Sequence, residues 1–397
     1  MSKLEQLINE LCPDGVEFVK IKDCFTRIKG TPITASKMKE IAVKDGEIRI
    51  FAGGKTIIDA YEKDIPKANI TRVPSVLVQS RGVIDVVYYD KPFTFKNEMW
   101  AYTHKEQITV KYLYYYLTTQ VPKMREAASG MGSLPQISLK VTEDMMFPLP
   151  PLPIQREIVR ILDNFTLLSA ELSAELSARK QQYEYYRDYL LSFDDEDVEK
   201  VIPDIDCSKV EYKKLSDVTD SISSGKCKEK SNNGKYIVYG STGVIAYTDS
   251  YQYKGNKILI ARVGANAGFV HIATGKYDVS DNTLMVNIKE QYNQKYFYYL
   301  LVNMNLNRFA KGGGQPLITA GQLKEILVPV PPLEVQNNIV KILDRFDMLC
   351  NDISEGIPAE IEARKQQYEY YRDTLLSFNQ EQCSQIVNVE RERANTH

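Results

Sequence analysis

The sequence has few of the residues on which most metal sites and histidine-based active sites depend. Only three histidines occur in 397 residues. His104, His271 and His397 leave little for a zinc site or a histidine-based triad. Six cysteines occur without a Cys-x-x-Cys pair, so we expect reduced thiols and a cytoplasmic protein. No run of about 18 apolar residues occurs, so no membrane span is predicted.

Sequence motifs for nucleotide binding and catalysis are also missing. The chain has no phosphate-binding P-loop, no Gly-x-Gly-x-x-Gly fingerprint and no Gly-x-Ser-x-Gly nucleophile elbow. Asn282 lacks the Pro-Pro-aromatic sequel of an amino-methylating site, and Asp85 and Asp90 lack a convincing Glu-x-Lys nuclease sequel. We therefore expect a chain with no active site, metal or cofactor of its own.

The dominant feature that is present is an internal duplication. Residues 178–193 (ARKQQYEYYRDYLLSF) and 363–378 (ARKQQYEYYRDTLLSF) agree at 15 of 16 positions. We call these two segments the repeated blocks. Residues 148–165 (PLPPLPIQREIVRILDNF) and 329–346 (PVPPLEVQNNIVKILDRF) agree at 11 of 18 positions. The chain therefore contains two copies of one unit, each a variable body followed by a nearly invariant spacer.

Proline clusters and composition divide the chain into four segments. We predict a first domain at residues 1–150, a spacer at 151–200, a second domain at 201–330, and a second spacer with a tail at 331–397. Alternating apolar runs such as 75–79 (SVLVQ) predict strands in the bodies, and residues 110–118 (VKYLYYYLT) predict a helix. The predicted fold class is α+β.

The spacers have the apolar period of long helices. The first spacer places Phe165, Leu168, Leu172, Leu176, Arg179, Tyr183, Tyr186, Leu190 and Phe193 on one coiled-coil-like seam. Such a seam needs a partner helix. We expect the two spacers to form an antiparallel pair with pseudo-two-fold symmetry. The alternative is that each spacer packs on its own body. Gly356 and Pro358 should interrupt the second spacer.

Charge is unevenly distributed along a chain whose formal net charge is −2. Residues 12–147, the first body, carry 20 basic and 16 acidic side chains. Residues 201–328, the second body, carry 16 basic and 11 acidic side chains. The spacers are consequently acidic. This pattern fits bodies that face a polyanion and spacers that face protein, although ordinary charge scatter is the alternative.

Polar, basic and small residues in loops of the bodies are the candidate DNA contacts. Ser80-Arg81-Gly82 and Arg262-Val263-Gly264 each follow an apolar strand, where an arginine could contact guanine or a phosphate. The alternative is a solvated or ion-paired arginine at a strand end. The full candidate set is Lys55, Thr56, Ser80, Arg81, Gly82, Ser133, Gln136, Ser241, Thr242, Arg262, Asn266, Lys311 and Gln315.

Polar residues in the repeated blocks are the candidate partner contacts. A buried apolar seam does not require identical Arg, Lys and Gln residues in both copies. We therefore expect them to face a protein that binds twice. The candidates are Arg179, Lys180, Gln181, Arg187, Arg364, Lys365, Gln366 and Arg372.

Taken in order, these motifs resemble the specificity subunit of a type I restriction-modification enzyme. The resemblance rests on CPDGVEF (residues 12–18), the two proline-led spacer starts, the doubled ARKQQYEYYRD blocks and GSTGVIAYTDSY (residues 240–251). It covers nearly the whole chain and implies two target-recognition domains, separated by two long antiparallel conserved helices. Each domain would read one half of a split target in double-stranded DNA.

The resemblance also implies the protein partners. These are two modification (methyltransferase) subunits on the helices and, optionally, two restriction subunits. Adenine methylation from S-adenosylmethionine and ATP- and Mg²⁺-dependent cleavage would belong to those partners. The LSAE repeats at residues 168–175 resemble spacing elements of this family. Two alternatives are the recognition portion of a fused type II restriction-methyltransferase and a coiled-coil scaffold for protein contacts.

Overall fold

The computed structural model describes residues 3–129, 134–193, 210–227, 229–312, 314–352 and 354–378. The chain forms two compact units. Unit 1 contains Met1–Glu171 and Ile361–His397, and unit 2 contains Leu172–Glu360. Each unit therefore holds one body, the first part of the spacer that follows that body, and the last part of the other spacer.

The first body is a mixture of short strands and helices. In chain order these are α1 (Lys3–Leu11), β1 (Phe18–Lys20), α2 (Ile21–Cys24), β2 (Thr26–Lys29), α3 (Ala35–Ile41), β3 (Ile48–Ala52), β4 (Thr56–Ala60), β5 (Ser75–Gln79), β6 (Asp85–Tyr89), β7 (Phe93–Phe95), β8 (Trp100–Thr103), α4 (Gln107–Glu126), α5 (Lys140–Glu143) and β9 (Met146–Pro148). Short 3-10 helices lie at Gly53–Lys55 and Glu62–Asp64. The predicted strand at 75–79 is confirmed, and the predicted helix at 110–118 lies inside the longer α4.

The first spacer, α6 (Leu152–Ser192), leads to a second body of the same kind. Its elements are β10 (Glu211–Lys214), α7 (Leu215–Val218), β11 (Thr219–Ser224), β12 (Tyr236–Gly240), β13 (Gly243–Thr248), β14 (Tyr253–Lys254), β15 (Lys257–Ala261), β16 (Val270–Ala273), β17 (Lys276–Val279), β18 (Thr283–Ile288), α8 (Gln294–Asn303), a 3-10 helix (Leu306–Phe309), α9 (Ala320–Lys324) and β19 (Leu327–Val330). The second spacer is divided into α10 (Leu333–Asn351) and α11 (Ile357–Leu376), which confirms the predicted interruption.

The two bodies share one sheet topology, except that the second body has one additional strand, β14. The first contains an antiparallel sheet in the order β2-β8-β5-β6 and the second an antiparallel sheet in the order β11-β18-β15-β16. Each body has a second sheet that contains one parallel pair, in the order β4-β3-β7 in the first body and β13-β12-β17-β14 in the second. Each body also has a two-stranded sheet, β1-β9 in the first and β10-β19 in the second.

A glycine is required at the same place in both bodies. A Cβ on Gly30 would collide with the Phe95 carbonyl oxygen, and one on Gly225 with that of Val279.

The cores explain how the spacers are held. In unit 1, Ile158 and Leu162 of α6 share a core with the first body and with Tyr371 and Leu375 of the second repeated block. In unit 2, Leu190 of the first repeated block shares a core with the second body and with α10. Each repeated block therefore packs with the body of the other copy. Packing of each whole spacer on its own body, the alternative raised by the sequence, is not what the structure shows.

The predicted seam is buried only towards its two ends. Phe165, Leu190 and Phe193 are buried, whereas every residue from 166 to 182 is exposed or half-buried. Some spacer residues outside the seam are also buried and form hydrogen bonds inside the units. Buried Gln155 donates to the Pro150 carbonyl over 2.7 Å, and Gln336 donates to the Pro331 carbonyl over 2.8 Å. These matched bonds account for a glutamine shared by both spacers.

Among the described helices, none has the length and apolar character needed to cross a membrane.

Candidate nucleic-acid interface

Two of the predicted loops in the first body are joined by backbone hydrogen bonds. Gly82 donates to the Pro135 carbonyl over 2.9 Å, and Ile137 donates to the Ser80 carbonyl over 3.0 Å. Arg81 and Gln136 form the bridge between these bonds, and both side chains are exposed. The strand ends therefore hold a guanidinium and a carboxamide side by side at the surface.

The turn after β3 lies beside this pair. A Cβ on Gly53 would lie 3.5 Å from the Arg81 carbonyl oxygen. The turn and the arginine border a cleft of about 380 Å³, here called cleft A. Lys55 sits in the turn with an exposed side chain and a φ of 66°. Cleft A is lined by Ala35, Met38, Lys39, Ala52, Gly53, Gly54, Thr56, Ile58, Arg81, Lys96, Glu98 and Leu134.

Ser80 is a correction to the predicted contact set. It is fully buried, and its hydroxyl donates to the carbonyl oxygen of Glu98. Its role is therefore to hold the turn that presents Arg81. Ser133 lies outside the described residues.

A larger cleft of about 660 Å³, cleft B, shares Gln136 and Glu98 with this surface. Its polar lining includes Arg27 and Lys29 from β2 together with Asn69 and Asn97. None of these four residues was predicted from the sequence. Arg27 and Lys29 alternate along a strand, but the cleft forms only when β2, the loop before β8 and the loop before α5 fold together.

The second body joins its predicted residues around Asn282. The Ser241 hydroxyl donates to the Asn282 carbonyl over 3.2 Å, and the Arg262 amide donates to the same oxygen over 2.9 Å. The Lys311 amide and the Leu317 carbonyl are 3.0 Å apart, and Ile318 donates to the Arg262 carbonyl over 2.9 Å. Four predicted residues therefore lie on adjoining loops: Ser241, Thr242, Arg262 and Lys311.

Two predicted residues of the second body lie at the margins of this arrangement. A Cβ on Gly312 would lie 2.9 Å from the Gln315 carbonyl oxygen, which places exposed Gln315 in the turn after Lys311. Asn266 lines a separate cleft of about 300 Å³ with Phe269 and Asn305. Asn266 therefore borders its own cleft, in the loop between β15 and β16.

Arg81 and Arg262 do not occupy equivalent positions in the two bodies; they are offset by one residue. Gly264 donates to the Pro316 carbonyl over 2.9 Å, the same bond that Gly82 makes to Pro135. With the glycines aligned, Arg262 occupies the place of buried Ser80, and Val263 occupies the place of Arg81. The two predicted segments match, but their arginines do not. Each body consequently presents a different pattern of hydrogen-bond donors from a common scaffold.

The histidine nearest this region is a buried ring packed among aromatic side chains. His271 packs beside Phe269 and Tyr239, with ring centroids 5.8 and 6.0 Å away. Burial lowers the pKa of His271 to about 4, so the ring is neutral near pH 7. Within the described parts of the chain, no group of three or more His, Cys, Asp or Glu residues could hold a metal ion.

The repeated blocks present the same exposed stripe in both units. Arg187 and Arg372 are not part of it, because their side chains are only 21% and 19% exposed and lie over Tyr183 and Tyr368. Arg364 is half-buried, whereas Arg179 is exposed beside the stripe. The spacing i, i+1, i+4, i+5, i+8 defines the stripe. Its members are Lys180, Gln181, Glu184, Tyr185 and Asp188, and Lys365, Gln366, Glu369, Tyr370 and Asp373.

Sequence reasoning predicted only the Lys and Gln residues of the stripe, and Tyr185 and Tyr370 are the largest side chains that it left out. Their exposed fractions are 63% and 54%, large values for a side chain of this size. The predicted apolar seam contains Tyr186 and leaves out Tyr185, which agrees with the packing of Tyr186 and Tyr371 inside the units. The partner contacts were predicted only among Arg, Lys and Gln residues, so the two exposed tyrosines were not included.

Comparison with known proteins gives one consistent family. The model of the type I restriction modification DNA specificity domain matches residues 13–179 and 208–363. The specificity subunit of the type I restriction enzyme EcoR124I/EcoR124II of Escherichia coli is 31% identical over 366 residues, which cover 83% of this chain and 87% of that protein. A putative type I specificity subunit of Mycoplasma pneumoniae is 32% identical over 262 residues, covering 64% of this chain and 95% of that protein.

The fold has a counterpart among solved structures. The S subunit of a type I restriction-modification system from M. genitalium superposes with a TM-score of 0.61 at 17% identity. The alignment covers 92% of this chain and 97% of that one. Similarity at this level of identity supports the fold, and the two matched segments of the family model correspond to the two copies of the repeat.

Proposed function

The chain belongs to the type I restriction-modification specificity-subunit family, and from this premise we propose that each body reads one half of a bipartite, gapped DNA target. As a member of this family it has two target-recognition domains and no active site of its own. It works with double-stranded DNA and the other subunits of a restriction-modification complex. We propose residues 1–150 and 201–330 as the two reading domains, and 151–200 and 331–397 as the spacers.

One observation carries the proposal that the halves are read independently. The two bodies share their sheet order and the Gly-to-Pro bond beneath the reading loops, yet differ in the side chains held there. Arg81 with Gln136 offers a donor fork and a carboxamide, which suit guanine and adenine edges in the major groove. In the second body, Thr242, Lys311 and Gln315 offer a different set of hydrogen-bonding groups. A shared scaffold with unlike contacts is expected of two domains that read unlike sequences.

Replacing Arg81 with alanine tests this assignment. Loss of a bidentate arginine contact should weaken methylation of the full target by about 1–3 kcal/mol and relax one base position in one half only. Lys55→Ala is the matched control: we propose that this exposed lysine contacts a phosphate, so its loss should weaken binding to all sequences about equally and reduce the salt dependence. The measurement is methylation of a library randomised at each target position by the assembled complex. Unchanged selectivity in the R81A complex would contradict the proposed role.

For the spacers we propose that the two identical stripes each dock one modification subunit. The stripes lie on opposite copies of the repeat but in equivalent surroundings, because each block packs with the body of the other copy. Tyrosine is enriched among the residues that contribute most to protein interfaces, and a polar rim commonly surrounds such residues. The docking surface already includes the predicted residues Lys180, Gln181, Lys365 and Gln366, and we extend it to the predicted residues Arg179 and Arg364.

Single and double tyrosine substitutions test the docking surface. Tyr185→Ala or Tyr370→Ala should weaken one of two sites by about 2 kcal/mol or more and leave complexes with one modification subunit. The double variant should bind neither modification subunit. Mass measurement of the assembled complex at a fixed subunit ratio distinguishes these species. Tyr212→Ala, at a tyrosine outside the blocks with 52% of its surface exposed, is the control. Two modification subunits bound to the double variant would refute this surface.

A further inference from the structure

The body helices α4 and α8 carry the same short pattern although the bodies otherwise diverge. Residues 111–117 read KYLYYYL and residues 295–301 read KYFYYLL. The lysine and the third tyrosine of each pattern are four residues apart, so they lie one turn apart on the same helix face. Each pair faces an aspartate that occurs at the same point of both spacers, in RILDNF and KILDRF.

These residues form the same clamp in both units. Lys111 Nζ lies 2.8 Å from Asp163 Oδ2, and the Tyr115 hydroxyl donates to Asp163 Oδ1 over 2.5 Å. In unit 2, Lys295 Nζ lies 2.7 Å from Asp344 Oδ2, and the Tyr299 hydroxyl donates to Asp344 Oδ1 over 2.7 Å. Both carboxylate oxygens are therefore engaged, each by a different residue of the body helix.

A third helix meets the spacer two residues beyond each clamp. Phe165 stacks on Tyr371 of the second repeated block, with ring centroids 5.2 Å apart and an interplanar angle of 27°. Phe346 stacks on Tyr186 of the first repeated block at 5.6 Å and the same angle of 27°. Body helix, following spacer and the other copy's block thus meet at one junction in each unit.

The stability contributed by the lysine–aspartate ion pair does not account for its presence in both copies. The side chains of Lys111 and Asp163 are 32% and 36% exposed, and those of Lys295 and Asp344 are 52% and 34% exposed. Ion pairs with this exposure contribute little to folding. The apolar core beneath them is strong but non-directional, so it permits small rotations of the body on the helix. A carboxylate held through both oxygens has a defined direction and resists such rotation.

We propose that the two Lys–Tyr–Asp clamps are positioning elements that fix the angle of each reading body on the spacer, and thereby make the complex selective for one gap length. This inference rests on the proposed function. Burial and the bond to Asp163 raise the pKa of Tyr115, and burial and the bond to Asp344 raise that of Tyr299. Both tyrosines therefore stay protonated as donors at neutral pH.

The test measures gap selectivity in the assembled methylating complex. Substrates carry both half-sequences separated by the parental gap, or by a gap one base pair longer or shorter. In Lys111→Met and Asp163→Asn complexes the ratio of parental to altered-gap methylation should fall about tenfold, while the half-sequences read stay the same. Lys295→Met should behave likewise. Lys111→Arg, which keeps the ion pair, should restore the parental ratio.

Lys123→Met is the matched control, because Lys123 is an exposed lysine three turns along the same helix α4 and outside the clamp. Tyr115→Phe removes the hydrogen bond to Asp163 with little change in volume. This variant replaces Asp163→Asn in the test if the Asp163→Asn protein does not fold. An unchanged gap ratio in folded Lys111→Met and Tyr115→Phe complexes would overturn the inference. If the unsubstituted complex itself shows no gapped target, the proposed function fails instead, so the two failures are distinguishable.

Discussion

Removing one LSAE unit, residues 172–175 of α6, is expected to shorten the gap in the methylated sequence by one to two base pairs. Four helical residues span about 6 Å and turn the helix by about 40° beyond one full rotation. Methylation of the parental sequence should fall by roughly 100-fold or more, since a displaced half-site loses several base contacts worth about 1–3 kcal/mol each.

The fold should survive this deletion because the unit lies where α6 has no buried residues. All residues from 166 to 182 are exposed or half-buried, and the buried parts of the helix lie on either side. Mapping of methylated bases across a genome or plasmid library measures the gap directly. The control reorders the same four residues without removing them and should keep the parental gap. A deletion variant that is folded, active and unchanged in gap would show that α6 does not set the spacing.

Exchange of the first body, residues 12–147, for that of another specificity subunit should change one half of the target and leave the other half intact. The parental first half should lose roughly 100-fold or more of its methylation, because every base contact of that body is replaced. The second half should be read as before, since unit 2 contains none of the exchanged residues.

The structure indicates why the exchanged body should still pack against the spacers. The core of unit 1 includes Tyr371 and Leu375 of the second repeated block and Ile158 of α6, and these stay in the chain. Exchange of residues 201–328 is the reciprocal control and should change only the other half. Methylome mapping of both exchanges gives the two half-sequences separately. Simultaneous change of both halves in either exchange would disprove independent reading.

The sequence pointed to candidate sites most directly where residues close in the chain lie together in the structure. The segments around Arg81 and Arg262 follow buried strands, and strand ends are recognisable from an apolar run that stops at a glycine. Sequence reasoning did not find cleft B, because Arg27 and Lys29, Asn69, and Asn97 come from three separated segments. It also misjudged Ser80, whose hydroxyl is used by a carbonyl 18 residues away. Hydrogen-bond partners at that separation have no signature in the local sequence.

The sequence by itself determined the duplication, the α+β class, the break in the second spacer and the family. Identity between copies, apolar period and helix-breaking residues are properties of the order of residues. Only the tertiary structure decided that each repeated block packs with the body of the other copy. It also decided that Ser80 is buried while Arg81 is exposed, and that Arg262 takes the place of Ser80. The physical reason is that burial and hydrogen-bond pairing depend on which distant surfaces meet, and two nearly identical blocks have the same local preferences whichever body they meet.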